Sequence, residues 1–232
     1  MKKKKSIQSN RGTRRALITR DQPRSPISEQ FKTIRTNIQY AALDHDVQIV
    51  MGTSANPGDG KTTVNANLAV TMSQQDARVL LIDADLRKPA LHYTFEVPNV
   101  YGLSSIVTKQ KTLVEAIQAT NVETLDILTS GPVPPNPSEM LSSKLMTSIL
   151  NEARTLYDYI VIDTPPVLAV SDAQIVAGLS DGIMIVLKSG VTETDDASQA
   201  VEVLKHTGTK ILGAILNHKQ RDSKSYHYYY GS

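Results

Sequence analysis

The chain has 232 residues, which is enough for one α/β domain with a sizeable core, and its apolar and charged fractions are those of an ordinary globular protein. A formal net charge of +2 gives no argument for nucleic-acid binding, and the absence of cysteine excludes disulfides, thiolate zinc sites and iron–sulfur clusters. No apolar run is long enough to span a bilayer, and the basic start "MKKKK" is not followed by the apolar stretch of a signal peptide, so we expect a cytoplasmic protein.

Residues 1–24 are strongly basic, with lysines at positions 2–5 and five arginines accompanied by a single acid, Asp21. This composition predicts a solvated, flexible arm. The same arm would be attracted to an anionic membrane surface at roughly 1 kcal/mol for each close basic side chain.

A helix is predicted over residues 25–43, where Ser25 or Ser28 can act as the N-cap and Pro26 suits the first turn. Apolar residues recur at helical spacing and should share one face: Ile27, Phe31, Ile34 and Ile38.

The rest of the chain alternates strands and helices. Strands are predicted over 47–53, 78–83, 124–130, 159–164, 182–189 and 210–217, and helices over 61–75, from Asp172, and over 194–207. This order predicts an α/β fold with a doubly wound, mostly parallel sheet that binds ligands at the carboxyl ends of its strands. We divide the chain into the basic arm (1–24), one catalytic domain that includes the first helix (25–219), and a tyrosine-rich flexible tail (220–232).

The segment "ANPGDGKTT" (55–63) resembles a phosphate-binding loop, G-x-x-x-x-G-K-[ST], in which Ala55 stands at the first glycine. A preceding strand and a following helix are the context that such a loop requires. Alanine is compatible with the first position provided that its φ is negative. The groups expected to bind a nucleotide are the backbone of Gly58, Asp59 and Gly60, the ammonium of Lys61 on the β- and γ-phosphates, the Mg²⁺-ligating hydroxyl of Thr62, and Thr63 on the α-phosphate.

Three carboxylates follow two of the apolar strands. Asp163 ends "VIDT", and Asp83 and Asp85 lie two residues apart in "LLIDAD", where an extended chain would point both side chains the same way. Together with the loop they indicate metal-assisted phosphoryl transfer.

The segments "LLIDADLRKP", "GKTT", "VIDTPPV" and "TSGPVPPNPSEMLSS" resemble the bacterial tyrosine kinases (BY-kinases) of polysaccharide synthesis over nearly the whole chain, on a MinD-like P-loop fold. The resemblance implies ATP and Mg²⁺ as cofactors, with Lys61 and Thr62 on phosphate and metal. It further implies that Asp83 orients or deprotonates the attacking tyrosine and that Asp85 and Asp163 hold Mg²⁺. Asn217, at the end of the last strand, would contact the adenine.

The family also has an oligomerisation motif, Glu-x-x-Arg-x-x-Arg, which appears here as Glu29, Lys32 and Arg35. We expect these three residues to share a polar stripe of the first helix, away from its apolar face. A lysine pairs with a carboxylate without the bidentate geometry of arginine, so the contact would be weaker. The resemblance implies a ring-like homo-oligomer, an octamer, and a separate membrane protein whose cytoplasmic tail activates the kinase at the inner face of the membrane. A tyrosine phosphatase is the implied antagonist.

Tyrosines are concentrated at the C-terminus. Four of the nine lie within the last seven residues, among polar neighbours, so we expect an exposed tail: Tyr226, Tyr228, Tyr229 and Tyr230. By the resemblance these are the sites of autophosphorylation in trans, and the reaction regulates capsular or exopolysaccharide synthesis.

Two other functions remain open. Deviant-Walker positioning ATPases have a related loop, but they use an additional early lysine where this chain has Asn56 followed by Pro57. A regulatory domain that binds ATP without catalysis is the other alternative, and the three acids at the strand ends argue against it.

Overall fold

The computed structural model describes residues 17–41 and 46–219. The strands in these ranges are β1 (Ile49–Ser54), β2 (Val79–Asp83), β3 (Gln118–Ala119), β4 (Leu125–Leu128), β5 (Tyr159–Asp163), β6 (Gly182–Lys188) and β7 (Ile211–Asn217). The helices are α1 (Ile18–Asp21), α2 (Pro26–Ala41), α3 (Lys61–Ser73), α4 (Leu91–Phe95), α5 (Leu103–Val107), α6 (Leu113–Ala116), α7 (Pro137–Leu141), α8 (Lys144–Leu156), α9 (Asp172–Ala177) and α10 (Thr194–Lys205). Within the described ranges, no helix combines the length and apolar character needed to cross a membrane.

The strands form one sheet in the order β3-β4-β2-β5-β1-β6-β7, and every neighbouring pair is parallel except β3–β4. This confirms the predicted fold class. Gly52 of β1 and Asp83 of β2 both pair with Asp163 of the intervening β5. The loop after β1 and the acids of the two neighbouring strands therefore meet at one edge of the sheet.

Both faces of the sheet are covered, which explains why its strands are continuous apolar runs. Ile49 and Met51 enter the core on one face, whereas Val50 enters the core on the other. Helix α3 packs on the second face and is buried at every position except Thr63. This packing fixes the position of α3, whose first two residues are Lys61 and Thr62.

The N-terminal boundary differs from the predicted one. Leu17 and Thr19, which we assigned to the flexible arm, are buried, and the Thr19 backbone N–H donates to Asn67 of α3 at 3.0 Å. The arm boundary at residue 24 is therefore wrong, because the packed domain already includes Leu17. Residues 1–16 lie outside the described residues.

Helix α2 is capped by Ser25, whose hydroxyl accepts from the backbone N–H of Ser28 at 3.2 Å. Phe31 and Ile38 are buried as predicted, but Ile27 is 43% exposed and does not belong to the buried face. In the first turn of α2 the buried residue is Ser28, whose hydroxyl donates to the carbonyl of Gln22 at 2.7 Å, and the neighbouring Ile27 is left toward solvent.

Strand β3 and helices α4 to α8 occupy segments in which we predicted no regular structure. Strand β3 has two residues and α4 to α7 have five or fewer each, so no period develops in the sequence. Helix α8 has 13 residues, and its start at the N-cap Ser143 was missed.

Candidate active site

The phosphate-binding segment runs from the end of β1 at Ser54 to the start of α3 at Lys61. Gly58 and Gly60 have φ of +88° and +93°, a conformation that glycine adopts at little steric cost. Ala55 is fully buried and is not among the described residues with positive φ. Alanine is therefore accommodated at the first glycine position of the pattern.

The side chain of Asp59 stabilises the conformation of this loop through hydrogen bonds. Its Oδ2 accepts from the Asn56 backbone N–H at 3.0 Å, and its Oδ1 accepts from the Thr192 hydroxyl at 3.0 Å. The carboxylate is thus engaged by the protein, which leaves the backbone of Asp59 as the part available to a phosphate. Asn217 Nδ2 donates to the Asp59 carbonyl at 2.8 Å. Asn217, the predicted adenine contact, therefore lies directly against the loop.

Lys61 connects the loop to the acids of the sheet. Its Nζ lies 3.0 Å from Asp85 Oδ2 and 3.5 Å from Asp163 Oδ2, and the Thr62 hydroxyl donates to the same Asp163 oxygen at 2.7 Å. Burial alone would lower the pKa of Lys61, but the charges of Asp163 and Asp85 outweigh it and raise the pKa above its ordinary value. Lys61 is therefore held as a cation at the edge where the strands end.

Asp83 is fully buried beside this group. Its Oδ2 accepts from the backbone N–H groups of Ala90 and Leu91, each at 3.0 Å, and its Oδ1 accepts from Asp85 N–H at 3.2 Å. Burial and the charge of Asp163 raise the pKa of Asp83 to about 7, against the opposing effect of these hydrogen bonds. Asp83 thus organises the segment that follows β2 and has a pKa suited to a base at neutral pH.

The oxygen atoms near Lys61 are suited to a Mg²⁺ ion that is also coordinated by the phosphates of a nucleotide. Thr62, Asp163 and Asp85 present hard oxygen atoms around Lys61. Among the described residues, no three His, Cys, Asp or Glu side chains are grouped closely enough to hold a metal ion. Mg²⁺ keeps waters and takes one or two protein oxygens together with phosphate, which is the arrangement these residues could complete.

Two groups near the site were not predicted from the sequence. Arg87 donates to both oxygens of the fully buried Asp172, at 2.8 and 3.1 Å, and the Ser138 hydroxyl donates to Asp172 at 2.6 Å. Burial alone would raise the pKa of Asp172, but these hydrogen bonds outweigh it and lower the pKa. The ion pair ties the segment after β2 to α7 and α9. The second group is the amide of Asn65, which donates to Asp163 at 2.7 Å.

The three residues that we matched to the family's oligomerisation motif, Glu29, Lys32 and Arg35, do not share one polar stripe. Lys32 Nζ and Glu29 Oε1 form an exposed ion pair at 2.7 Å, whereas Arg35 Nη1 donates to the carbonyl of Thr71 on α3 at 2.6 Å. The expectation that Arg35 points away from the core side is therefore wrong, because α3 supplies its hydrogen-bond acceptor. The four tail tyrosines, Tyr226, Tyr228, Tyr229 and Tyr230, lie outside the described residues.

Comparison with known proteins agrees with this geometry. The family described as "AAA domain" matches residues 47–217, from before β1 to the end of β7. The tyrosine-protein kinase YwqD of Bacillus subtilis is 49% identical over 229 residues, covering 98% of this chain and 97% of that protein.

Solved structures of a related chimerical protein and of MinD have the same fold as this chain. The chimerical protein CapA2B2 superposes with a TM-score of 0.86 at 42% identity, covering 88% of this chain and 90% of that one. The septum site-determining protein MinD of Pyrococcus horikoshii, solved with Mg-ADP, has a TM-score of 0.65 at 28% identity and covers 76% and 72% of the two chains. The fold is thus that of the MinD-like P-loop proteins, and the near-full-length match to a named tyrosine kinase shows that this chain belongs to the bacterial tyrosine kinases.

Proposed function

We propose that the chain transfers the γ-phosphoryl group of ATP to tyrosine hydroxyls in the C-terminal segment of a neighbouring copy, and thereby regulates capsular or exopolysaccharide synthesis or export. The observation that supports this most strongly is the position of Lys61, whose Nζ lies within 3.0 Å of Asp85 and 3.5 Å of Asp163 at the start of α3. This arrangement joins the phosphate loop to the acids of two strands. Phosphoryl transfer depends mainly on such positioning and charge.

In the proposed reaction the phenolic oxygen of tyrosine forms a bond to the γ-phosphorus while the bond from that phosphorus to the bridging oxygen of ADP breaks. Asp83 accepts the phenolic proton, for which a pKa of about 7 is suitable. Lys61 and the loop backbone stabilise the phosphate charge, and bound Mg²⁺ would neutralise further charge on the phosphates. Asp83 is closed to solvent here, so a tyrosine reaches it only after neighbouring groups move.

Replacement of Asp83 by asparagine tests its role. The amide oxygen still accepts from Ala90 and Leu91, and the NH₂ group gives up only the long contact from Asp85 N–H at 3.2 Å. The amide does not take up a proton, so we expect nucleotide affinity to stay within about threefold while transfer falls roughly 10²–10⁴-fold. Equilibrium binding of a fluorescent ATP analogue and phosphotyrosine blotting measure the two effects. Asp126→Asn, which alters a carboxylate that accepts from Tyr157, is the control and should leave both unchanged. Loss of binding in Asp83→Asn alone would make Asp83 a structural group.

We further propose that the chain assembles into a closed ring, an octamer, that a membrane protein activates it through a cytoplasmic tail, and that a tyrosine phosphatase reverses the reaction. Membership of the family supports these partners, and the exposed Glu29–Lys32 pair on α2 supports a contact surface there. A ring built from one heterologous contact must close by rotation, since otherwise it would continue as a filament.

Exchanging the two charges tests this surface. The variant Glu29→Lys with Lys32→Glu keeps an i,i+3 ion pair on α2 but moves the acid out of the first turn, so helix stability should fall by about 1 kcal/mol or less. A partner surface that recognises these charges would meet the opposite signs, and we expect light scattering to show monomers in place of rings. The exchange Glu202→Lys with Lys205→Glu on α10 is the matched control. Unchanged ring mass in the α2 variant, or a wild-type protein that is monomeric at every concentration and phosphorylation state, would contradict the proposal.

The alternative function, that of a positioning ATPase, fits the fold but is not supported by the residue at position 56. Asn56, where those proteins use a lysine to reach a partner, donates to Asp196 of its own chain at 2.6 Å. The residue is therefore engaged within the domain.

A further inference from the structure

Asn65 lies on α3, one turn after Thr62, and is fully buried. Its Nδ2 donates to Asp163 Oδ1 at 2.7 Å and to the carbonyl of Gly52 at 3.2 Å. Its Oδ1 is buried without a hydrogen-bond partner in the described part of the chain. Burying an acceptor without a partner costs free energy, which an apolar residue at this position would avoid.

The amide determines how Asp163 is oriented. One carboxylate oxygen, Oδ1, accepts from Asn65, while the other, Oδ2, accepts from Thr62 at 2.7 Å and lies 3.5 Å from Lys61 Nζ. The two oxygens therefore have separate environments. With Oδ1 fixed by a donor on the same helix that carries Thr62, Oδ2 is held toward the start of that helix.

Gly52 provides the space for this amide. It pairs with Asp163 across β1 and β5, and a methyl group added at Gly52 would lie 1.9 Å from Asn65 Oδ1. Any side chain on this strand position would displace the amide from Asp163. Gly52, Asn65 and Asp163 are thus in mutual contact, and the absence of a side chain at Gly52 allows the amide to reach Asp163.

We propose that Asn65 is a positioning residue for phosphoryl transfer, which holds Asp163 so that its Oδ2 faces the Mg²⁺ of a bound nucleotide. The inference rests on the proposed role of Asp163 at that metal. A merely structural amide would affect stability, whereas a positioning amide affects the dependence of nucleotide binding on Mg²⁺.

The experiment compares Asn65→Leu, which keeps the branched shape of the side chain and removes the donor, with Asn67→Leu on the same helix. Asn67 has an equally buried amide, but it contacts Thr19 and the carbonyl of Thr63. Binding of the fluorescent nucleotide mant-ATP is measured in EDTA and across a Mg²⁺ titration, with thermal unfolding recorded for each protein. A second variant, Asn65→Ala, also removes the donor and adds no bulk should the leucine disturb folding.

For both Asn65 variants we expect the affinity in EDTA to stay within twofold of wild type and the Mg²⁺ concentration for half-maximal effect to rise at least tenfold. Asn67→Leu should lower the unfolding temperature and leave that Mg²⁺ concentration within twofold. Equal Mg²⁺ dependence in the wild type and both Asn65 variants would overturn the inference. Phosphotyrosine blots on the same preparations distinguish failure of the Asn65 inference from failure of the kinase proposal. A wild-type protein that binds Mg²⁺–nucleotide but labels no tyrosine would contradict only the kinase proposal.

Discussion

Replacing Lys61 with methionine is expected to reduce tyrosine phosphorylation by roughly 10²–10³-fold, the usual cost of losing a preorganised charge aimed at a reacting oxyanion. The ammonium is held as a cation between Asp85 and Asp163, so it adds positive charge where phosphate charge must be neutralised. Methionine has similar length and no charge. Phosphate incorporation measured over time with labelled ATP gives the rate directly.

The same substitution should also lower stability. Asp85 and Asp163 would lose their shared cation in a site from which water is largely excluded, and breaking a buried ion pair typically costs about 3–5 kcal/mol. Lys205→Met, which breaks an exposed pair with Glu202, is the control and should leave both rate and stability nearly unchanged. A folded Lys61→Met protein that labels tyrosine at the wild-type rate would refute the assigned site.

Replacing Tyr226, Tyr228, Tyr229 and Tyr230 together with phenylalanine is expected to remove nearly all phosphotyrosine while nucleotide binding is retained. Phenylalanine keeps the ring and removes the hydroxyl that accepts phosphate. Each phosphate adds roughly −1.5 to −2 charges at pH 7, so several on one tail would repel one another and the acids of the site. We therefore expect ATP to dissociate the proposed ring of the wild type and to leave that of the phenylalanine variant assembled.

Internal tyrosines provide the controls for this variant. Tyr157 is buried and donates its hydroxyl to Asp126 at 2.8 Å, so it is a poor acceptor of phosphate. Tyr40 and Tyr93 are exposed, at 66% and 72%, and would be labelled if exposure alone chose the acceptor. We expect mass spectrometry to find little phosphate on any of the three or on Tyr159. Labelling of Tyr40 or Tyr93 with an unmodified tail peptide would exclude the tail as acceptor, and dissociation of the phenylalanine variant by ATP would exclude tail phosphorylation as the switch.

The sheet and the phosphate loop follow from local sequence. Strands buried on both faces appear as short apolar runs, and the acids at the ends of β2 and β5 stand out against them. Helix α8 could also have been predicted from the sequence. Ser143 is a residue type that caps helices and accepts from Met146 N–H, and apolar residues follow at helical spacing: Met146, Ile149, Leu150 and Ala153. The short helices α4 to α7 have too few residues to show such a period.

Contacts between distant residues could not be predicted from the sequence. Arg87 and Asp172 are 85 positions apart, and their ion pair depends on the start of α9 lying close to the segment that follows β2. Asn65 is one polar residue in a helix that is buried almost all round, so only the position of Asp163 on β5 shows what its amide does. Arg35 has the spacing of an exposed motif, but the proximity of α3 gives it an acceptor within the chain.

The most direct test of the kinase proposal is tyrosine phosphorylation in the cells that produce this protein, where the proposed membrane activator would be present. The chain is recovered after tyrosine phosphatases have been inhibited, and its C-terminal peptide is analysed by mass spectrometry beside that of Lys61→Met. We predict phosphate on Tyr226, Tyr228, Tyr229 and Tyr230 in the wild type and almost none in the variant. A tail peptide without phosphate in the wild type, or with equal phosphate in both proteins, would contradict the proposal.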